Sequence, residues 1–292
     1  MNQDKTKTSI NIIGMGYVGG AMSHLCDENN VEYNVCDIKE KEGGFNYFNN
    51  ISNLVDFSES KSDVNFYTIC VPTPSDSDGN CDTSIVKNVL TQLDENINKE
   101  TFVIIKSTII PGTAQTFNEL FPKLNIVFSP EFLTEKNYLD DIYNAKFVIL
   151  GIPPKFELNK YQKVLKVIRL FYKHSNIDIF MKSYEEAELF KYTLNTFFAM
   201  KITFFNEIHE LCEKMNVDYQ KLKELFKLDP RVGSYGTVVP GPGNDFYGFK
   251  LSCLPKEVRG MIKLEEKLEL SSELMVCVDK RNKYFNNKQV KN

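Results

Sequence analysis

The chain has 292 residues with a formal net charge of −4, a charged fraction of 25% and a hydrophobic fraction of 42%, enough for two cores of ordinary size. No basic block points to nucleic acid, no apolar run reaches membrane-spanning length, and the polar start MNQDKTKTSI lacks the apolar core of a signal peptide. The seven cysteines are odd in number and show no CxxC spacing, so they read as reduced thiols of a cytosolic chain; with only three histidines, no metal site is expected.

The first half alternates two periodicities. Ser9–Ile13, Val31–Cys36, Val64–Val71, Thr101–Lys106, Ile126–Phe128 and Phe147–Leu150 are short and rich in β-branched or aromatic residues. Helical stretches such as Thr83–Ile97 and Thr113–Phe121 lie between them. Strands alternating with helices imply a parallel, doubly wound sheet. From Ser183 to about Met215 the chain has no Pro or Gly and is apolar at helical spacing. It begins SYEE, an N-cap serine with a glutamate at the third helical position. A helix of that length spans about 50 Å, which suits a link between lobes or a dimer interface. A shorter helix, Tyr219–Phe226, is followed by a Gly/Pro-dense loop, Asp229–Gly248. A last helical segment begins near Pro255 and fades into the tail NKYFNNKQVKN.

The first strand runs into Gly14-Met15-Gly16-Tyr17-Val18-Gly19, a GxGxxG that opens a helix. Gly14 permits the tight turn, Gly16 lets backbone approach a pyrophosphate, and Gly19 lets helix and strand pack closely. Asp37 ends the second strand. A carboxylate there hydrogen-bonds ribose hydroxyls and repels a 2′-phosphate, which selects NAD over NADP.

At this point the chain resembles the UDP-glucose/GDP-mannose dehydrogenase family, from Ser9 to about Lys280. The motifs stand in the family's order: GMGYVG at Gly14–Gly19, VPTPSDSDGNCD at Val71–Asp82, KSTIIPGT at Lys106–Thr113, and SPEFLTE at Ser129–Glu135. AELFKYTLNTFFAMKITFFNE at Ala187–Glu207, DPRVG at Asp229–Gly233 and SCLPKE at Ser252–Glu257 follow. The resemblance implies an α/β fold: a Rossmann-type doubly wound parallel sheet, NAD-binding, over residues 1–182. A long-helix, all-α dimerisation domain carrying the catalytic cysteine would follow over residues 183–292. Within the family, CLPK favours the UDP-glucose branch over the UDP-N-acetylhexosamine branch. Lys250-Leu251 stand where the family has Gly-Gly, and Glu257 where it has Asp. The family's third domain, which grips uridine diphosphate, would begin where this chain ends, so weak UDP binding is expected.

The implied reaction is a four-electron oxidation of UDP-glucose at C6, using two NAD⁺. A thiol suits its second half: it adds to the aldehyde, the thiohemiacetal gives up a hydride, and the thioester is hydrolysed. The resemblance assigns that thiol to Cys253, read as sitting in a loop beside Lys256, where a thiolate is favoured. Lys191 and Asn195 share one face of the long helix. On helix context alone Lys191 reads equally as a snorkelling lysine. The K-x-x-x-N match assigns it to an oxyanion or proton relay and Asn195 to the substrate or a water. Glu131 becomes the base for thioester hydrolysis, Thr108 positions a water or the cofactor ribose, and Glu257 completes the catalytic set. Cofactor contacts are assigned to Gly14, Met15, Gly16, Tyr17, Val18, Gly19, Asp37, Val71, Pro72, Thr73, Pro74, Ser107, Thr108 and Glu135. Substrate contacts fall to Glu131, Phe132, Leu133, Thr134, Lys191, Asn195, Tyr247, Gly248, Phe249 and Lys256, with Phe246 and Tyr247 as candidates to stack on uracil. Arg231 would reach across a homodimer. GDP-mannose oxidation, a β-hydroxyacid dehydrogenase and a non-catalytic NAD-binding dimer are the competing readings. The SCLPK motif counts against the second, and joint retention of Cys253, Lys191, Asn195, Glu131 and Glu257 against the third.

Overall fold

The computed structural model describes residues 7–76, 79–241, 246–250 and 253–289. Two compact units result: unit 1 holds the described residues up to Pro74 together with Asp82–Lys191, and unit 2 holds those of Ser75–Cys81 and Tyr192 onward. The division between these two units falls inside the long helix, eight residues into it.

Unit 1 is built on one eight-stranded sheet in the order β3-β2-β1-β4-β5-β6-β7-β8. The strands are β1 (Thr8–Ile13), β2 (Asn34–Cys36), β3 (Asn46–Phe48), β4 (Val64–Ile69), β5 (Glu100–Ile105), β6 (Leu124–Phe128), β7 (Phe147–Ile152) and β8 (Asp178–Ser183). The inner strands β4 and β5 are near-continuous apolar runs because helices cover both faces: α2 (Ile51–Lys61), α3 (Ser84–Asn96) and α4 (Thr113–Leu120) on one, α1 (Tyr17–Glu28), α5 (Tyr138–Tyr143) and α6 (Leu158–Phe171) on the other. The chain leaves β1 toward β2 on one side and β4 on the other, which makes the carboxyl ends of β1 and β4 the switch point where such sheets bind ligands.

Four features differ from the sequence reading. The sheet is not wholly parallel, since β6 and β7 meet antiparallel at Phe128 and Gly151. The short strand β3 and the edge strand β8 were not evident, for β3 has three residues and β8 carries exposed Phe180 and Met181. Val31–Cys36 pairs only from Asn34. Finally, the segment after Pro255 is two helices, α9 (Cys253–Lys267) and α10 (Glu273–Asn286), with Glu269 at φ +57° between them.

The long helix α7 (Tyr184–Met215) begins as its sequence requires. Ser183 N–H donates to Glu186 Oε2 at 2.9 Å and Glu186 N–H donates to Ser183 Oγ at 3.2 Å, a reciprocal capping box. In unit 2 the rest of α7 packs with α8 (Tyr219–Phe226), α9 and α10 around two apolar clusters. One holds Ala199, Phe249, Leu254, Val258, Met275 and Val278. The other holds Phe205, Cys212, Tyr219, Val239, Tyr247 and Phe285.

Candidate active site

The glycine loop at the carboxyl end of β1 has the steric demands of a pyrophosphate cradle. Gly14 takes φ +90°, and a Cβ on it would lie 2.8 Å from Cys70 O. On Gly19 a Cβ would fall 1.9 Å from Gly14 O, so helix α1 can lie this close to β1 only with glycine there. Gly16 meets nothing within 4 Å: its missing side chain leaves open space at the start of α1. No acidic residue stands in that helix's first turn, so the N-terminal amides and the dipole are available to phosphate. Asp37 is fixed beside the loop, accepting from Met15 N–H at 2.6 Å and Lys39 N–H at 2.8 Å. A carboxylate keeps further lone pairs for ribose hydroxyls. These residues fit NAD. Tyr17 packs edge-on against Tyr138, and Ser107 Oγ donates to Val71 O at 2.8 Å, which ties the loop of Val71, Pro72, Thr73 and Pro74 to that of Ser107 and Thr108.

Deeper in unit 1, the structure joins Lys191 to Glu131. Lys191 Nζ donates to Glu131 O at 2.6 Å and lies 3.3 Å from Oε1, with side chains 4% and 10% exposed. Glu131 Oε2 accepts Leu133 N–H at 2.7 Å. A dry ion pair is a weak source of stability because both charges lose water, and such sites are enriched in function. Phe132 packs on Phe147 and Phe190, with Lys191 Nζ 5.5 Å above its ring. Thr134 points elsewhere: its N–H and hydroxyl both donate to Asp141 Oδ2, at 2.8 and 2.6 Å. The expected substrate contact from that hydroxyl is thus already taken by a turn.

Two charged groups in unit 1 were not singled out from the sequence. Lys106, at the end of β5, is 4% exposed and donates to Ser129 O and Oγ at 3.3 and 3.2 Å. Burial pulls its pKa below the usual lysine range, against the opposite influence of Cys70 and Glu131. Burial likewise pushes the neighbouring Cys70 thiol up to about 12, so that thiol is inert. Glu188, fully buried, accepts Gly112 N–H at 2.7 Å and Ala114 N–H at 2.8 Å, closing the start of α4. Desolvation raises its pKa to about 7 despite those two hydrogen bonds. A glutamate three residues before Lys191 on an apolar helix was the available signal.

In unit 2, Cys253 is the first residue of α9 and not part of a loop. Five cysteines are buried, Cys277 is exposed, and Cys253 is half-buried. A helix start suits it, because the dipole there favours a thiolate and Pro255 costs nothing in a first turn whose N–H groups have no helical partner. One turn on, buried Glu257 accepts Asn195 Nδ2–H at 2.8 Å. The helix carrying the thiol is thereby fastened to α7 by two residues expected to be catalytic. Lys256 is half-buried on the same first turn. Leu251 and Ser252, like Ser77 and Asp78 of the VPTP stretch and residues 242–245 of the Gly/Pro loop, lie outside the described residues.

Three residues expected to meet substrate, Tyr247, Gly248 and Phe249, have the relevant groups engaged inside unit 2. Tyr247 is 4% exposed, with Lys288 Nζ 4.7 Å over its ring and His209 beside it, so its ring is a core element and offers no free face to uracil. Gly248 and Phe249 donate their N–H groups to Asn206 and Asn282, inside the unit. Arg231 is exposed and forked onto Asp229, with contacts of 2.9 and 2.6 Å.

Comparison with known proteins gives matches along both halves of the chain. The NAD-binding domain of the UDP-glucose/GDP-mannose dehydrogenase family matches residues 47–170, and the central domain of the same family matches residues 185–284. The chain is similar to the UDP-glucose 6-dehydrogenase of Campylobacter jejuni, 33% identical over 274 residues that cover 86% of this chain and 66% of that protein. It spans two thirds or less of the length of the curated relatives it matches. In structure it resembles a UDP-glucose dehydrogenase of Pyrobaculum islandicum, with a TM-score of 0.79 and 22% identity over 97% of this chain and 69% of that one. The same fold extends to a 3-hydroxyisobutyrate dehydrogenase of Mycobacterium tuberculosis, at TM-score 0.70 and 15% identity over 98% and 95%. Among the described residues no helix is long and apolar enough to cross a membrane.

Proposed function

We propose, for a chain that belongs to the UDP-glucose/GDP-mannose dehydrogenase family, that it oxidises the C6 alcohol of UDP-glucose to the carboxylate through a covalent intermediate on Cys253. The observation that carries this reading is the position of that thiol. It opens a helix, is half-buried, and is tied one turn later to α7 through Glu257 and Asn195. NAD⁺, when bound, supplies the hydride acceptor, and each sugar consumes two.

The residues then divide the remaining work. Lys191 stabilises the alkoxide that develops as the alcohol loses its proton. Cys253 Sγ adds to the aldehyde carbon, and the oxygen takes up a proton to give a thiohemiacetal. After the second oxidation the thioester is cleaved by water: Glu131 takes the water proton, the C–S bond breaks, and the thiol is restored. Asn195 holds the substrate or that water. Thr108 orients the cofactor ribose. Asp37 selects NAD⁺, because a carboxylate cannot share space with a 2′-phosphate.

The protein is also proposed to self-associate through α7. Phe197, Phe204 and Leu211, spaced seven apart in unit 2, are 48%, 54% and 53% exposed, an apolar stripe of the kind helix pairing covers. Sedimentation should show a dimer that Phe204→Lys converts to monomer. A monomeric wild type at micromolar concentration with full activity refutes it.

The deciding assay measures NADH formed per UDP-glucose, with GDP-mannose in parallel. Two NADH per sugar and no uronic acid from Cys253→Ala are expected. One NADH per sugar, or a Cys253→Ala variant that forms the acid at the wild-type rate, removes the thiol from the reaction. Faster turnover of GDP-mannose would move the substrate, not the mechanism.

A further inference from the structure

Three asparagines of unit 2 converge on two residues just before Cys253. Asn282 of α10 accepts Phe249 N–H through Oδ1 at 2.8 Å and donates Nδ2–H to Phe249 O at 2.9 Å. Asn286, one turn further, donates to the same oxygen at 3.4 Å. Asn206 of α7 accepts Gly248 N–H at 2.9 Å, while its own Nδ2–H donates to Ile202 O at 2.8 Å. That second bond fixes which way the Asn206 carboxamide faces. Asn282 and Asn206 are 3% and 2% exposed. Packing alone would have been served by leucine. A carboxamide is the side chain that offers one donor and one acceptor in a plane, the pattern a neighbouring strand would offer to an extended residue.

The backbone is shaped to receive it. Gly248 takes φ +73°, and a Cβ on it would lie 2.4 Å from Asn282 Oδ1. Phe249 then packs in one apolar cluster with Leu254, the residue after Cys253. The clamp on Phe249 is thus joined to the first turn of α9 by side-chain packing as well as by the chain itself.

We propose that Asn282, assisted by Asn206, is a positioning residue that sets the Gly248–Phe249 backbone and through it the presentation of the Cys253 thiol. The proposal rests on the reading of Cys253 as nucleophile. It also leaves the N–H groups of Gly248 and Phe249 unavailable to substrate, since Asn206 and Asn282 already accept from them.

The test follows Cys253 and Cys277 separately, by peptide-resolved alkylation with iodoacetamide. Asn282→Asp keeps an acceptor for Phe249 N–H but turns a second oxygen toward Phe249 O. Gly248→Ala displaces Asn282 without altering it. Each variant should change the Cys253 alkylation rate and lower kcat with UDP-glucose by roughly tenfold or more. The Cys277 rate, the NAD⁺ affinity by calorimetry and the KM for NAD⁺ should hold. Folded variants with wild-type Cys253 alkylation and kcat overturn the proposal. If the wild type turns over no nucleotide sugar, the proposed function fails while the alkylation result still decides the clamp. Should both variants fail to fold, hydrogen exchange on the wild type decides: the Gly248 and Phe249 amides should be protected, and exchange within seconds overturns the clamp.

Discussion

Unit 1 and unit 2 fasten their chemistry-bearing segments with different side chains. In unit 1 the fasteners are charged: Glu188 takes two backbone N–H groups at the start of α4, and Lys191 holds Glu131. In unit 2 they are carboxamides: Asn195 on Glu257, and Asn206 and Asn282 on the backbone before Cys253. Ionic fasteners must shed water from a full charge, so removing one partner strands the other. A carboxamide itself carries no charge and does not titrate, and on the backbone before Cys253 Asn282 meets N–H and C=O together. The fasteners of unit 1 should therefore be sensitive to pH and to loss of a single charge, and the backbone clamp before Cys253 in unit 2 to the shape and direction of its hydrogen bonds.

The largest effect should come from breaking the buried pair. Lys191→Ala removes the cation in contact with Glu131 and should lower stability by about 3–5 kcal/mol, read as a shift in urea midpoint at constant slope. Lys191→Met combined with Glu131→Gln should recover more than half of that loss, because neither residue then carries charge. Asn282→Ala should lose less, about 1–3 kcal/mol, the range for stranded neutral groups. Equal losses in the two units would break the comparison.

Next comes pH. The Glu188 carboxyl, raised from 4.5 to about 7 chiefly by burial, binds its proton more tightly in the folded protein than in the unfolded chain. Its favourable contribution is complete below pH 4.5 and is lost as pH rises through about 7, a change of up to about 3 kcal/mol. Glu188→Gln removes that slope. The stability of wild type relative to Glu188→Gln should accordingly fall between about pH 5 and about pH 8, by thermal melts in matched buffers. Parallel curves for the two proteins would show that Glu188 ionises as it does in water. Asn282→Ser should melt parallel to wild type across the same range.

The glycines sharpen the contrast between open and filled space. Gly16→Ala adds a methyl where nothing lies within 4 Å, so Tm should hold while NAD⁺ affinity drops about tenfold or more, near 1.4 kcal/mol. Calorimetric titration checks it. Unchanged affinity would mean that the pyrophosphate does not approach this turn.

How much of this was legible in the sequence follows from the same physics. The glycine loop, Asp37, α7 with its cap, and the Cys253 motif could be read because each depends on neighbours in the chain: a turn, a helix period, a short motif. Strands β3 and β8 escaped because three residues, or an exposed edge, carry too little pattern. Tyr247, Gly248 and Phe249 were given to the substrate because aromatics and glycines before a nucleophile suggest contact. Their burial is decided by α10, whose Asn282 lies 33 residues beyond Phe249. Lys106 and Glu188 were passed over for a similar reason. Their significance comes from what surrounds them, and Ser129 and Gly112 are brought near only by the sheet.

The smallest expected effect tests whether the contrast reaches the surface. Two helix starts offer a matched pair. Ser183 caps α7 through its hydroxyl on Glu186 N–H. Asp218 caps α8 by accepting Gln220 N–H at 2.9 Å and Lys221 N–H at 3.4 Å. Here the neutral cap lies in unit 1 and the charged one in unit 2, the reverse of the interior. Either residue changed to Ala should lower stability by about 1 kcal/mol. Salt separates them. Part of the Asp218 contribution is attraction to the helix dipole, which counterions screen, whereas the Ser183 hydroxyl carries no net charge. Raising NaCl from about 0.05 to about 0.5 M should therefore shrink the loss from Asp218→Ala and leave that from Ser183→Ala in place. If both losses respond alike, the charge of a cap matters less than its hydrogen bond, and the distinction between the units belongs to their buried contacts alone.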